Sequence, residues 1–294
     1  MLKKIGIIAL TISIILFSMA LSSCGRGKKA IQIKGSDTMV NLGQAWAEAF
    51  MQKNPSIAIA ITGGGSGTGI AALIEGTTDI TQASRNMEPK EIALAEKRGV
   101  HPNEIHVAND GITIVVHPSN SVSKLTLKQL SGIYTGKIKN WKELGGVDQK
   151  IVTLSRERNS GTHVFFLEHV IKLGNPKSSN EFAPSALMMP SSQAIIEEVS
   201  ANPQAIGYVG LGYLTAKEKA LAIARDNNSP YVQPSIQSVT SKQYPISRSL
   251  LFYTNGEPNA KIKPFIDFVL SKAGQAIVLK MDFIPTLPAG RQVK

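Results

Sequence analysis

The chain has 294 residues, a formal charge of +11 from 32 Lys and Arg against 21 Asp and Glu, and one cysteine. A single cysteine excludes an internal disulfide, so the fold must be held by its apolar core. The positive surplus suits anionic partners, but no dense Lys/Arg block is interleaved with aromatic residues, which excludes a nucleic-acid-binding surface.

The first element is Met1-Leu2-Lys3-Lys4, an apolar run over 5–21 and Leu21-Ser22-Ser23-Cys24. A basic cap, an apolar stretch and small residues before a cleavage point are the parts of a secretory signal. The run also approaches the lower limit for a membrane-spanning helix, the competing reading. Its end resembles the lipobox of bacterial lipoproteins. A thiol directly after the cut can carry a lipid whose chains contribute roughly 0.8 kcal/mol per buried methylene. Residues 1–23 are therefore expected to be a signal peptide, Cys24 the lipid attachment point and 24–30 a polar tether, with the body held outside the cytoplasm. A body of this size is expected to form two domains.

The body opens with an alternating strand over 31–34 and then Gly35-Ser36-Asp37-Thr38. Met39, Leu42, Trp46 and Phe50 recur at helical spacing up to Asn54-Pro55. The unit repeats as a strand over 57–62, a glycine-rich turn over 63–67, a helix over 68–75 and a strand near 79–81. Strands alternating with helices predict an α/β fold with a mainly parallel sheet, ligands being held at strand C-terminal ends. An apolar strand over 111–116 stops at His117-Pro118, and Thr126 with Gln129 has capping-box spacing. Further strands are predicted over 150–154, 205–209 and 249–253, with a helix running from about 162 to 170. Residues 225–239 are polar and turn-rich. Pro264 starts a helix carrying Phe265, Phe268 and Val269, and another covers 275–279.

Three times a strand runs into Ser, Thr and Gly just before a helix: at 35–38, at 63–69 and at 156–162. Helix N-termini expose unpaired N–H groups and a positive dipole end. Hydroxyls of Thr38, Ser66, Ser160 and Thr162 add donors, and glycines allow close backbone approach. One such turn is ordinarily only a cap. Three of them can surround a tetrahedral oxyanion. The turn at 63–69 lacks the Gly-Lys-Ser/Thr ending of a nucleotide loop, and the first turn lacks the dinucleotide fingerprint. His101, His106, His117, His163 and His169 form no compact ligand set, so no metal or other cofactor is expected. Ser66 is not in a nucleophile elbow with His and acid partners, so an enzyme is not expected. Trp46 and Trp141 read as packing residues.

Gly35 to Thr38, Gly65-Ser66-Gly67-Thr68-Gly69, 125–130 with 134–141, Arg156 through Thr162 with Phe166, and 205–209 together carry a resemblance over essentially the whole body. The chain resembles the phosphate-binding proteins that serve bacterial phosphate importers, within the periplasmic-binding-protein superfamily. That resemblance implies a two-lobed α/β fold of type II with a ligand cleft between domains: residues 31–115 plus 248–294 form one domain and 116–247 the other, hinged near 115–117 and 246–250. It implies capture of inorganic phosphate at Ser36, Asp37, Thr38, Ser66, Gly67, Thr68, Arg85, Arg156, Ser160, Gly161 and Thr162, and delivery by a monomer to the permease subunits of an ABC importer. The alternatives are a binding protein for sulfate, molybdate or tungstate, and a surface adhesion or signalling module. One departure stands out. The family pattern has an aspartate after Ala-Ser, where this chain has Arg85. With that acceptor for the phosphate proton gone, Asp37 is expected to face the cleft in its place, with Arg85 beside it.

Overall fold

The computed structural model describes residues 30–286; the expected signal peptide, Cys24 and nearly all of the tether lie outside the described residues. In chain order the elements are β1 (Ile31–Gly35), α1 (Val40–Lys53), β2 (Ile59–Thr62), α2 (Ser66–Ile74), β3 (Ile80–Ala83), α3 (Pro89–Lys97), β4 (Pro102–Val116), β5 (Lys124–Thr126) and α4 (Leu127–Tyr134). They continue with β6 (Val152–Arg156), α5 (Gly161–Phe166), β7 (Leu187–Met189), α6 (Ser192–Ala201), β8 (Ala205–Gly210), β9 (Lys219–Ala220) and β10 (Ala222–Ala224). The last are α7 (Ile236–Thr240), β11 (Ser247–Asn255), α8 (Lys263–Leu270) and α9 (Lys272–Lys280).

The helical period predicted for α1 buries Leu42, Trp46 and Phe50 on one face. That face packs with Ile31, Ile33, Ile80, Phe252, Phe265 and Val269 into the core of the first lobe. Side chains buried this completely contribute roughly 1.5–3 kcal/mol each. Trp46 stands edge-on to Phe252 with centroids 5.7 Å apart, and its indole N–H donates to the Gly274 carbonyl at 2.8 Å. The second lobe has its own core around Ile112, Ile114, Leu130, Tyr134, Trp141, Phe166, Ile206 and Tyr208, in which the Phe166 and Tyr208 rings stack at 3.9 Å. Both tryptophans are fully buried, as their packing role requires.

The strand order is β2-β1-β3-β11-β4-β8-β6-β7. Within each lobe the strands run parallel, β1 with β2 and β3, and β6 with β7 and β8. The sheet as a whole is mixed and not mainly parallel, because β4 and β11 pair antiparallel with each other and with β3 and β8. These two strands are the ones that carry the chain between lobes. Up to Gly111, β4 pairs with β11; from Ile112 it pairs with β8. The hand-over therefore precedes the expected boundary at 115, and Ile112 and Ile114 already lie in the second core. Strand β4 also begins nine residues earlier than its apolar run, since its first half is only partly covered.

Candidate functional site

Each of the three predicted turns starts a helix at the seam between the lobes. After β1 the chain makes one turn of 3-10 helix over Asp37–Met39. Gly65, at φ +95°, turns the chain into α2, and Ser160 caps α5 by accepting from the His163 amide at 3.5 Å. Thr38 and Thr162 then meet across the seam, their hydroxyls 2.8 Å apart. Ser36 donates to the Ser84 hydroxyl at 2.9 Å, the Ser84 amide donates to the Ser66 hydroxyl at 3.0 Å, and the Ser66 and Ser84 hydroxyls stand 3.4 Å apart. The five residues whose hydroxyls meet here, Ser36, Thr38, Ser66, Ser84 and Thr162, are at most 2% exposed. A Cβ added at Gly161 would lie 2.3 Å from the Ser66 oxygen and 2.7 Å from that of Ser84, so only glycine fits there. The first-turn amides of α2 and α5 have no acceptor within their own helices. Expected residues Ser36, Thr38, Ser66, Ser160, Gly161 and Thr162 are thus brought together.

The charge inside this cluster comes from a residue that sequence reasoning missed. Arg248, on β11, uses every N–H it has. Its Nε and Nη2 donate to Asp110 Oδ2 at 3.1 and 2.8 Å, Nη1 to Thr162 Oγ1 at 3.0 Å and the Ser84 carbonyl at 3.2 Å, and Nη2 to Thr38 Oγ1 at 3.3 Å. Arg248 and Asp110 side chains are 1% and 0% exposed. Burial pushes the Asp110 carboxyl above the usual carboxylate range, against the pull of the Arg248 guanidinium. The Leu211 amide donates to its other oxygen at 3.0 Å. Both residues sit in the buried phase of their strands, Asp110 with Ala108 and Arg248 with Leu250. A charge in that phase was the available signal.

Arg156 lies beside the cluster, fixed by the second lobe. Nε and Nη2 donate to the carbonyls of Met189 and Pro190 at 3.3 and 2.9 Å, and Nη1 to Ser192 Oγ at 3.1 Å and Asp37 Oδ2 at 2.9 Å. Four of its five N–H groups are thereby used.

Several expected residues serve other partners. The Asp37 oxygen that takes Arg156 also accepts from the amide and hydroxyl of Ser192 at 2.8 and 2.9 Å, which ties the residue to the second lobe and away from an acceptor's place in the hydroxyl cluster. Arg85 turns to α3: its two terminal nitrogens each lie 2.7 Å from an oxygen of Glu91. Glu91 is also the reciprocal capping residue of α3, which holds the pair in place. Thr68 donates to the Gly64 carbonyl at 2.7 Å and accepts from Asn159 at 3.2 Å, and the Gly67 amide is spent on the Asn159 carbonyl at 2.9 Å. Asp37 and Arg85, expected to face the cleft together, are thus bonded to Ser192 and Arg156 and to Glu91, while Arg248 is the arginine bonded within the hydroxyl cluster.

A model of the periplasmic-binding-protein (PBP) superfamily domain matches residues 22–273. The phosphate-binding protein PstS of Bacillus subtilis is 32% identical over 298 residues, covering 96% of this chain and 94% of the relative. PstS of Pseudomonas aeruginosa is 34% identical over 272 residues, 87% of this chain and 82% of the relative. The chain belongs to the PstS family. A crystal structure of a putative phosphate ABC transporter substrate-binding protein from Clostridium perfringens, with bound phosphate, shares 36% identity and a TM-score of 0.79 over 88% of this chain and 100% of that one. A phosphate transport receptor from Vibrio cholerae shares 31% identity at a TM-score of 0.68, covering 88% of this chain and 100% of that one. The two-lobed type II architecture expected from the sequence is the PstS fold. PstS proteins are binding proteins, and this chain is one of them and not an enzyme. Among the described residues no group of three or more His, Cys, Asp or Glu could hold a metal ion, and no helix is long and apolar enough to cross a membrane.

Proposed function

We propose that this protein captures inorganic phosphate outside the cytoplasm and delivers it to the permease subunits of an ABC importer. One observation carries the reading: five buried hydroxyls converge at the seam with the starts of two helices, Arg248 among them and Arg156 alongside. Such a set offers many donors from several directions, the requirement of a tetrahedral oxyanion. The relatives named for phosphate and for ABC transport support the same conclusion. The ligand contacts are Thr38, Ser66, Ser84, Gly161 and Thr162, with Ser36 and Ser160 orienting the turns and Arg156 and Arg248 supplying charge.

The lobe built on β1, β2 and β3 and the lobe built on β6, β7 and β8 act as the two closing bodies, and the crossing of β4 and β11 acts as the pivot. Signal removal and lipidation at Cys24 hold the monomer near its importer, which raises its effective concentration there. The test is calorimetric titration of protein starting at residue 25 with phosphate, arsenate, sulfate and molybdate. Tight binding of phosphate and arsenate with weak binding of the others is expected. Tight binding of sulfate or molybdate without phosphate would overturn the assignment.

A further inference from the structure

Asn159 and Asp37 each anchor a bridge between the lobes next to the anion cluster. The first is Asn159, in the loop between β6 and α5. Its side-chain amide donates across the seam to the Gly64 carbonyl at 2.8 Å and to Thr68 Oγ1 at 3.2 Å. An Asn amide has two N–H groups, and both are accounted for. Its main-chain carbonyl accepts from the Gly67 amide at 2.9 Å. The fit is close enough that a Cβ on Gly65 would stand 2.6 Å from the Asn159 oxygen. Thr68 in turn donates to Gly64 at 2.7 Å, so the socket is a closed ring of Gly64, Thr68 and Asn159. The second bridge is Asp37, which reaches Arg156 and Ser192 from the first lobe, while Tyr213 donates to the Asp37 carbonyl at 2.8 Å.

The two bridges differ in kind. Asp37 shares Arg156 and adjoins Thr38, so altering it disturbs the cluster directly. Asn159 is exposed, and its side chain bonds only to the glycine turn of the opposite lobe. Its contacts exist only when the lobes are together. They therefore stabilise the closed form and leave the open form, which the anion enters, unaffected.

We propose that Asn159 is a positioning residue that sets how long the anion is held: it latches the glycine turn of one lobe onto the other without touching the ligand. Thr68, expected from sequence to bind the anion, is the socket of this latch. The inference rests on phosphate capture at the cluster. Its consequence is kinetic, because a contact made only after closure slows release and leaves entry unchanged.

The test is stopped-flow measurement of phosphate association and dissociation with Asn159→Ala, Thr68→Val and the double variant, with thermal midpoints taken in the absence of phosphate. Asn159→Ala is expected to speed dissociation about tenfold, corresponding to about 1.4 kcal/mol. Association should stay within about twofold, and the midpoint should be unchanged. Thr68→Val should show a smaller effect, and the double variant should fall short of the product of the two because both remove one contact. An unchanged dissociation rate, or a fall in association and midpoint together, would overturn the latch. Absence of phosphate binding by the unaltered protein would instead overturn the reading of the cluster.

Discussion

Arg248 and Asp110 form the charged floor of the cluster, and their isolation from water decides what their loss does. Removing one partner of a fully buried pair leaves an uncompensated charge, typically costing 3–5 kcal/mol. Arg248→Ala is therefore expected to lower stability by about that amount in denaturant titration as well as to weaken binding. Gly161→Ala should act on binding more than on stability: its added methyl falls on the Ser66 and Ser84 hydroxyls, an overpacking that costs about 1–3 kcal/mol. Arg85→Gln should lower stability by roughly 1–3 kcal/mol through loss of its Glu91 pair and leave phosphate affinity within about threefold. Loss of affinity a hundredfold or greater would return Arg85 to the anion. At this scale the sequence made legible six residues that the fold brings together, Ser36, Thr38, Ser66, Ser160, Gly161 and Thr162, since Ser, Thr and Gly before a helix advertise donors. Arg248 and Asp110 were not legible because they lie in strands remote from every donor turn, and only the tertiary crossing brings them to Thr38 and Thr162.

The helix α5 shows how an element can tie the cluster to pH. His163 sits in its first turn, with Nδ1 3.1 Å from the Ser155 hydroxyl and its ring stacked on Phe182 at 4.4 Å. Ser155 also contacts the Tyr208 hydroxyl at 2.7 Å. Burial pushes His163 down to about 4 from an ordinary 6.5. The folded state thus binds fewer protons than the unfolded state between those values. Its contribution is fully present above pH 6.5 and is lost as pH falls toward 4. A His163→Gln variant should show a shallower decline of thermal midpoint across that window, the difference reaching about 1–2 kcal/mol near its lower end. Identical slopes would sink this role. Elements with strong local signals were readable: α1 from its apolar spacing, and α4 from Thr126 and Gln129, whose reciprocal bonds measure 3.2 and 2.8 Å. The helix predicted through 170 changes to a π-helical turn over Leu167–Ile171, and the five-residue α7 inside the polar stretch went unread. Both are too short to impose a period.

For the whole molecule, strands β4 and β11 are at once the link between two cores and the source of Asp110 and Arg248. The charged floor of the cluster therefore sits at the crossing, bonded to residues of both lobes. The lobes contribute separately: Thr38, Ser66 and Ser84 come from one, Ser160, Gly161 and Thr162 from the other. Neither half alone surrounds an oxyanion, and in the proposed capture mechanism closure completes the site. The two-lobed plan was legible only through a set of motifs spread along the whole chain, since composition marks no linker and the antiparallel crossing leaves no local pattern.

The most direct measurement is a calorimetric phosphate titration of the unaltered protein beside Gly161→Ala. One phosphate bound per chain, with binding lost in a variant that stays folded and whose thermal midpoint falls by no more than about ten degrees, is the predicted result. Equal affinity in the two proteins would place the anion outside the hydroxyl cluster and contradict the account.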